Sequence, residues 1–179
     1  MGTDPQPGQS RIFVSAVNEL IAALEREAQD PTKGLPDQLF YFVGRMTPFI
    51  NVDLLIRDPQ LGVLLTWRDD EYCGQGWHIP GGIIRLRETM HERVREVARL
   101  ELNAEVSFID DRPLRVNEVI NYHVKDRSHF ISLLFECRLT ITSHLSIQAT
   151  SHLRDSKTKF FKTVPEDLLV NHKIYNDIF

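Results

Sequence analysis

The residues best placed to do chemistry lie between Trp77 and Ala104. Trp77-His78-Ile79-Pro80 runs into the pair Gly81-Gly82, whose missing side chains let a backbone approach a ligand closely. A charged amphipathic segment follows. Thr89 and Glu92 make a Thr-x-x-Glu capping box, which predicts a helix start, and Asn103 suits its left-handed stop. On a wheel at about 100° per residue, with Glu88 as zero, Met90, Val94, Val97 and Ala98 fall between roughly 180° and 280°, one buried stripe. Glu101 falls at about 220°, inside that stripe. Glu88, Glu92 and Glu96 share the opposite face with Arg95 and Arg99. A buried lone carboxylate is costly and needs a cation, donors or a proton. A metal ion at the rim of the core is one reading. A last-turn Glu reaching sideways to an Arg or to water is the other.

The pattern Gly82-x5-Glu88-x12-Glu101 resembles the Nudix box, whose full form is Gly-x5-Glu-x7-Arg-Glu-apolar-x-Glu-Glu-x-Gly-apolar. Glu96 stands where the box has Arg. Val97 and Leu100 stand at two of its three metal-binding Glu positions, and Asn103 at its Gly. A box that keeps only the last Glu resembles the GDP-mannose mannosyl hydrolase branch, which hydrolyses a nucleotide sugar at the sugar carbon. Because Glu96 cannot act as the box Arg, Glu88 is expected to meet Arg95, Arg99 or solvent instead.

The chain has 179 residues, 42% hydrophobic content and a net charge of -4, which suits one compact domain with a small appendage. No basic stripe marks a nucleic-acid partner. No membrane-length apolar run and no signal peptide are seen. Cys73 and Cys137 form neither a close ligand pair nor a disulfide framework, so a reducing, cytoplasmic setting is expected.

Residues 1–9 are polar and rich in Pro and Gly, and are expected to be disordered. Phe13, Val17, Leu20, Ile21 and Leu24 repeat with helical spacing, so residues 11–28 predict an amphipathic helix packed on the core. Residues 10–36 thus form an N-terminal helix and linker, and 37–179 the main domain. Gln38 to Val43 is aromatic and β-prone. Phe49 to Ile56 and Val63 to Trp67 predict a hairpin, followed by a polar loop from Asp69 to Gly76. Further strands are expected at 105–109, 114–124, 129–139 and 159–162. Ile141 to Lys157 reads as a long polar loop bearing His144, Gln148 and His152. Thr163 and Glu166 repeat the Thr-x-x-Glu cap, with Pro165 in the first turn, and predict a last helix through Val170.

The resemblance implies an α/β (α+β) fold, a Nudix-type α/β/α sandwich with a mixed sheet, here with an added N-terminal helix. It implies Mg²⁺ or Mn²⁺ held by Glu101 and the Gly81 carbonyl. Asp53 and Arg68 match an Asp and an Arg of the branch, Arg68 facing the diphosphate. Asp53 also reads simply as an Asp satisfying neighbouring backbone donors, and Arg68 as a solvated hairpin-end cation. His123 matches a His near the leaving group. His152 falls where the branch keeps its general base, while Ser151 replaces its ligand Gln, leaving Gln148 as a substitute. Ile83 and Phe130 replace an Arg and a Tyr of the branch. The implied substrate is a nucleotide sugar or other nucleoside diphosphate derivative, and a homodimer is expected. Attack on phosphorus and a non-catalytic nucleotide-sugar-binding domain are the alternatives.

Overall fold

The computed structural model describes residues 7–70, 74–151, 153 and 156–179, with side chains from Val14 onward. Helix α1 spans Pro7–Ala28 and α2 spans Asp37–Gly44. Strands β1 (Phe49–Asp58), β2 (Gly62–Asp70), β3 (Gly74–His78) and β4 (Gly81–Ile83) precede helix α3 (Met90–Leu102). Strands β5 (Val106–Phe108), β6 (Arg115–Ile120) and β7 (His129–Leu139), helix α4 (Ile141–Ser151), β8 (Thr158–Phe161) and a 3₁₀ segment (Val170–Ile178) follow.

The eight strands among the described residues make one mixed sheet, ordered β3-β2-β1-β7-β5, with β8 on β2, β4 on β1 and β6 on β7. Its spine is the parallel pair β1 and β7, registered from Phe49↔Phe130 to Ile56↔Cys137. Alternation along β1 splits the core. Val52, Leu54 and Ile56 pack with Val94, Val97 and Ala98 of α3 and Ile147 of α4. Leu55 joins Trp77, Leu168, Tyr175 and Ile178 in a second cluster. Helices thus cover one face and the 3₁₀ segment the other.

Helix α3 obeys its local signals. Thr89 caps it with Glu92 in a reciprocal capping box, and Asn103 stops it at φ 48°. Several other expectations are corrected. Gln38 to Val43 is helical, since Asp37 opens a first turn after Pro36 and one side of that turn buries Leu39 while Phe40 stacks on Phe49 at 4.6 Å. The expected loop 141–157 contains α4, held by Ile147 in the core and by His144 Nε2 at 2.9 Å from Asp58 Oδ2. The expected helix at 163–170 is a turn instead. There, Leu168 bridges Trp77, whose amide donates to Asp167 O at 2.8 Å, so the chain extends β3 rather than coiling.

Helix α1 keeps its expected spacing but not its packing. Leu20 is 66% and Ile21 48% exposed, so its apolar side lies off the core. Met90, assigned to the buried stripe of α3, is likewise exposed, at the first residue of the helix. Residues 1–6 of the expected disordered terminus lie outside the described residues, and Pro7 already belongs to α1.

Candidate active site

Gly81 sits between two carboxylates. A Cβ there would come within 2.4 Å of Asp53 Oδ1, and the Gly81 amide faces Glu101 Oε1 at 3.4 Å. Only glycine permits this approach. Gly82 is constrained on its other side, where a Cβ would meet Val97 Cγ2 at 2.9 Å and Arg93 Cδ at 3.2 Å. The Gly-Gly pair therefore lets α3 press directly against β4 and brings Glu101 beside the strand that carries Asp53.

Glu88 belongs to a different arrangement, and its expected partners are corrected. Its Oε2 accepts from the Arg93 Nε at 2.8 Å and from the Arg85 amide at 2.9 Å. Arg93 Nη2 lies 2.8 Å from the same oxygen, as a charge contact rather than an aligned hydrogen bond. Arg93 is 5% exposed and lies under the Gly82 backbone. Arg95 and Arg99 do not replace it: Arg95 stacks over Phe108 at 5.2 Å, and Arg99 pairs with Glu96 at 2.8 Å. Glu88 thus ties the loop after β4 to α3, and Arg93 supplies the cation that Glu96 cannot.

Asp53 is 4% exposed. The donors it meets are side chains rather than the neighbouring backbone. Oδ2 accepts from Tyr175 Oη at 2.5 Å and from the Ser132 hydroxyl, and Oδ1 accepts from Asn51 Nδ2 at 3.0 Å. Burial pushes the carboxyl up to about 6 against the pull of these donors and of Arg68. The Tyr175 phenol is raised in turn, by burial first and then by the Asp53 charge.

Glu101 is more loosely held. Thr66 Oγ1 donates to its Oε2 at 3.0 Å, and His78 Nε2 lies 3.7 Å away. His78 is buried, which drops its imidazole to about 3 and keeps it neutral. Its Nδ1 faces the Ile79 carbonyl at 2.8 Å, an acceptor only, so we place the ring proton on Nδ1. Nε2 is then an acceptor, 3.0 Å from the same Thr66 hydroxyl. One hydroxyl proton faces two acceptors, the imidazole nitrogen and the carboxylate. Either Glu101 carries a proton or one contact goes unmade. Burial raises Glu101 in the first direction. A cation on the carboxylate would remove the conflict.

A cavity of about 560 Å³ opens in front of this group. Asp53, Arg68, Gly81, Gly82 and His123 all line it, together with His78, Ser132 and His172. Glu101 lines a smaller neighbouring cleft that shares Arg68 and His78 with the cavity. Gln148 is exposed on α4 and lines neither. His152 lies outside the described residues. Ser132, Tyr175, His172 and Thr66 had no sequence signal, because each reaches the site through long-range pairing. His78 had one, its place in the Trp-x-x-Pro-Gly-Gly run.

Among the described residues, no three His, Cys, Asp or Glu side chains cluster as a metal cage. The donor set is one helix carboxylate, a backbone carbonyl candidate at Gly81 and the Asp53 carboxylate across it. Such oxygens fit a hard cation that keeps waters and arrives with a ligand's phosphates, which is how Mg²⁺ commonly binds. Among the described residues, no helix is long and apolar enough to cross a membrane.

No model of a known protein family matches this chain. The chain is 33% identical over 88 residues to the low-salt glycan biosynthesis protein Agl8 of Haloferax volcanii. That stretch is 49% of this chain and 56% of the relative, so the chain spans about half the length of the curated relative it matches. A MutT NUDIX hydrolase from Burkholderia pseudomallei superposes with a TM-score of 0.53 at 16% identity, covering 74% of this chain and 98% of that one. A UDP-X diphosphatase superposes with a TM-score of 0.51 at 14% identity, covering 98% of this chain and 81% of that one. The fold is therefore the Nudix-type α/β/α sandwich with a mixed sheet.

Proposed function

We propose that the protein is a hydrolase of a nucleoside diphosphate derivative, with a nucleotide sugar as substrate and water attacking the anomeric carbon. One observation carries this reading: a single carboxylate of α3 reaches the site. Val97 is buried against Gly82, and Leu100 is 57% exposed, so neither position offers an oxygen donor. Among the described residues, α3 thus lacks the further carboxylates that attack on phosphorus with several metal ions would use, which supports attack on carbon. The name of the matched relative, a glycan biosynthesis protein, supports a sugar-bearing substrate.

In this mechanism Arg68 binds the diphosphate from the cavity wall. Gly81 lets the Asp53 carboxylate close on the backbone, and Asp53, fixed by Tyr175, Ser132 and Asn51, sets the floor. Glu101 and the Gly81 carbonyl would hold Mg²⁺ or Mn²⁺, which supplies positive charge to the departing diphosphate. His123 lies on the cavity wall near that group. His152 is the proposed base, since an imidazole has a proton affinity suited to water activation near neutral pH. Attack opposite the leaving group gives inversion.

Hydrolysis of a panel of nucleotide sugars in ¹⁸O-labelled water, with Mg²⁺ or Mn²⁺, is the test. Label on the sugar is expected. Label on phosphate assigns the chain to the diphosphohydrolase reading, to which the likeness to the UDP-X diphosphatase lends support. Tight binding without turnover with either metal leaves a nucleotide-sugar-binding domain.

A further inference from the structure

Among the described residues α1 is the longest helix, and it stands off the rest of the molecule. From Val14 to Ala28 none of its side chains is buried, and only Val17, Ala22 and Ala28 are half-buried. Gln29, at φ 52°, stops the helix, and Asp30 turns the chain by accepting from the Thr32 amide at 3.1 Å. Helices in proteins draw most of their stability from packing an apolar face. This one has such a face and packs it on nothing in its own chain.

The face has a particular period. Val14, Val17, Ile21, Leu24 and Ala28 follow one another at alternating steps of three and four, the a and d positions of two heptads. Such a stripe is narrower than the one a helix turns to a globular core, and it is the seam along which two helices pack. Val14 is 53% and Leu24 39% exposed. Leu20, also exposed, stands beside the seam at the g position.

Sequence and charge name the occupant. The seam is self-complementary, so a second α1 meets it with the same side chains. Glu25 and Glu27 lie in the last turn, against the negative end of their own helix dipole, and the first turn holds no acid. A parallel copy would crowd the acids of both helices at one end. An antiparallel copy sets each pair of acids beside the positive end of the other helix. Between Val14 and Ala28 three glutamates stand against one arginine, so the helix does not suit an anionic lipid surface. Covering the seam and Leu20 in two copies removes on the order of 1,000 Å² from water, the low end of the range for specific interfaces and enough for a weak dimer.

We propose that the protein dimerises through α1. Two copies cross antiparallel, Val17 packing against Ile21 of the partner subunit and Leu20 lying at the two-fold axis. The small area sets the strength, with association in the micromolar range.

Sedimentation velocity of the full chain over a range of concentrations tests this. The wild type should pass from monomer to dimer with a dissociation constant on the order of 10 μM. The double variant Ile21→Glu, Leu24→Glu places charge in the seam and should weaken the dimer about a hundred-fold or more. Ala23→Gln, off the seam, should leave the constant unchanged. Orientation is read by crosslinking. A short bismaleimide should join Leu20→Cys to its copy, and should leave Ala28→Cys and the wild type treated alike unjoined. In the antiparallel pair the two Ala28 positions lie roughly 25 Å apart along the axis. Crosslinking of Ala28→Cys in place of Leu20→Cys shows parallel pairing and overturns the geometry. A wild type that stays monomeric at about 200 μM, well above the expected constant, overturns the proposal. So does a dimer that the two seam glutamates leave as tight as before.

Discussion

The two ends of α3 each present a glutamate, and the surroundings of the two differ. Glu88, just before the helix, accepts from a backbone amide and meets two guanidinium nitrogens within 2.9 Å. Glu101, in the last turn, shares one hydroxyl with His78 and faces an amide at 3.4 Å. Arg68 acts on it from a distance. The first carboxylate is fully used in building the loop. The second is left short of donors beside a cavity. A carboxylate whose charge is fully answered by its own fold has little left for a ligand, so the chemistry belongs at the second end.

The largest effect expected from breaking this contrast is at Glu101. Glu101→Gln should cut Mg²⁺-dependent turnover by about a thousand-fold or more, since a metal ion supplies several kcal/mol to the reaction. The fold should survive, because the amide still accepts from Thr66. Mn²⁺ binding followed by paramagnetic resonance checks the cause, and unchanged metal affinity would sink the idea.

At the other end the cost should be in stability. Arg93→Leu strands Glu88 in a largely buried position and should cost about 3 kcal/mol, read by urea unfolding. In a chain of this length that is a melting-temperature drop of roughly 6–12 °C. Adding Glu88→Gln to Arg93→Leu should recover part of the loss, and no recovery would refute the pairing argument.

Asp53 offers a subtler distinction. Its folded value of about 6 lies above the ordinary 3.8, so the folded state holds that proton more tightly than the unfolded chain. Its stabilising contribution is therefore complete below about pH 4, declines as pH rises toward 6, and is flat above. The difference is of order 2–3 kcal/mol. The gap in unfolding free energy between wild type and Asp53→Asn should change across that window. A gap constant from pH 4 to 7 would show that Asp53 ionises as if exposed. The smallest effect belongs to the exposed pair on the same helix. Arg99→Met, which frees Glu96, should shift stability by no more than about 0.5 kcal/mol.

How far the sequence could be read follows the same division. Local wiring was legible: the Thr89–Glu92 cap, the Asn103 stop and the strand at Phe49 each depend on neighbours in the chain. Arg93 was within reach of the same reasoning, as a cation at the edge of the apolar stripe five residues after Glu88. What stayed hidden depends on packing between distant segments. The aromatic run at Gln38 to Val43 has strand composition, but stacking of Phe40 on Phe49 favours a helix. The Thr163–Glu166 cap was outcompeted by the open edge of β3. The apolar spacing of α1 predicted the helix but not what covers it. Ser132 and Tyr175 look like ordinary strand and tail residues until β7 and the 3₁₀ segment bring both to Asp53.

The parallel spine also has a kinetic consequence. Ser132 and Asp53 lie 79 residues apart in the chain, and β1 and β7 can register only after that long loop closes. Closing long loops is entropically unfavourable, and topologies dominated by such pairings fold slowly. Helix α3 can form early from its own caps, whereas Asp53 has no pocket until β7 arrives. During refolding from urea, helical circular dichroism should therefore return well before pyrophosphate binding does. The chain passes through a period in which it has its most recognisable motif and no working site.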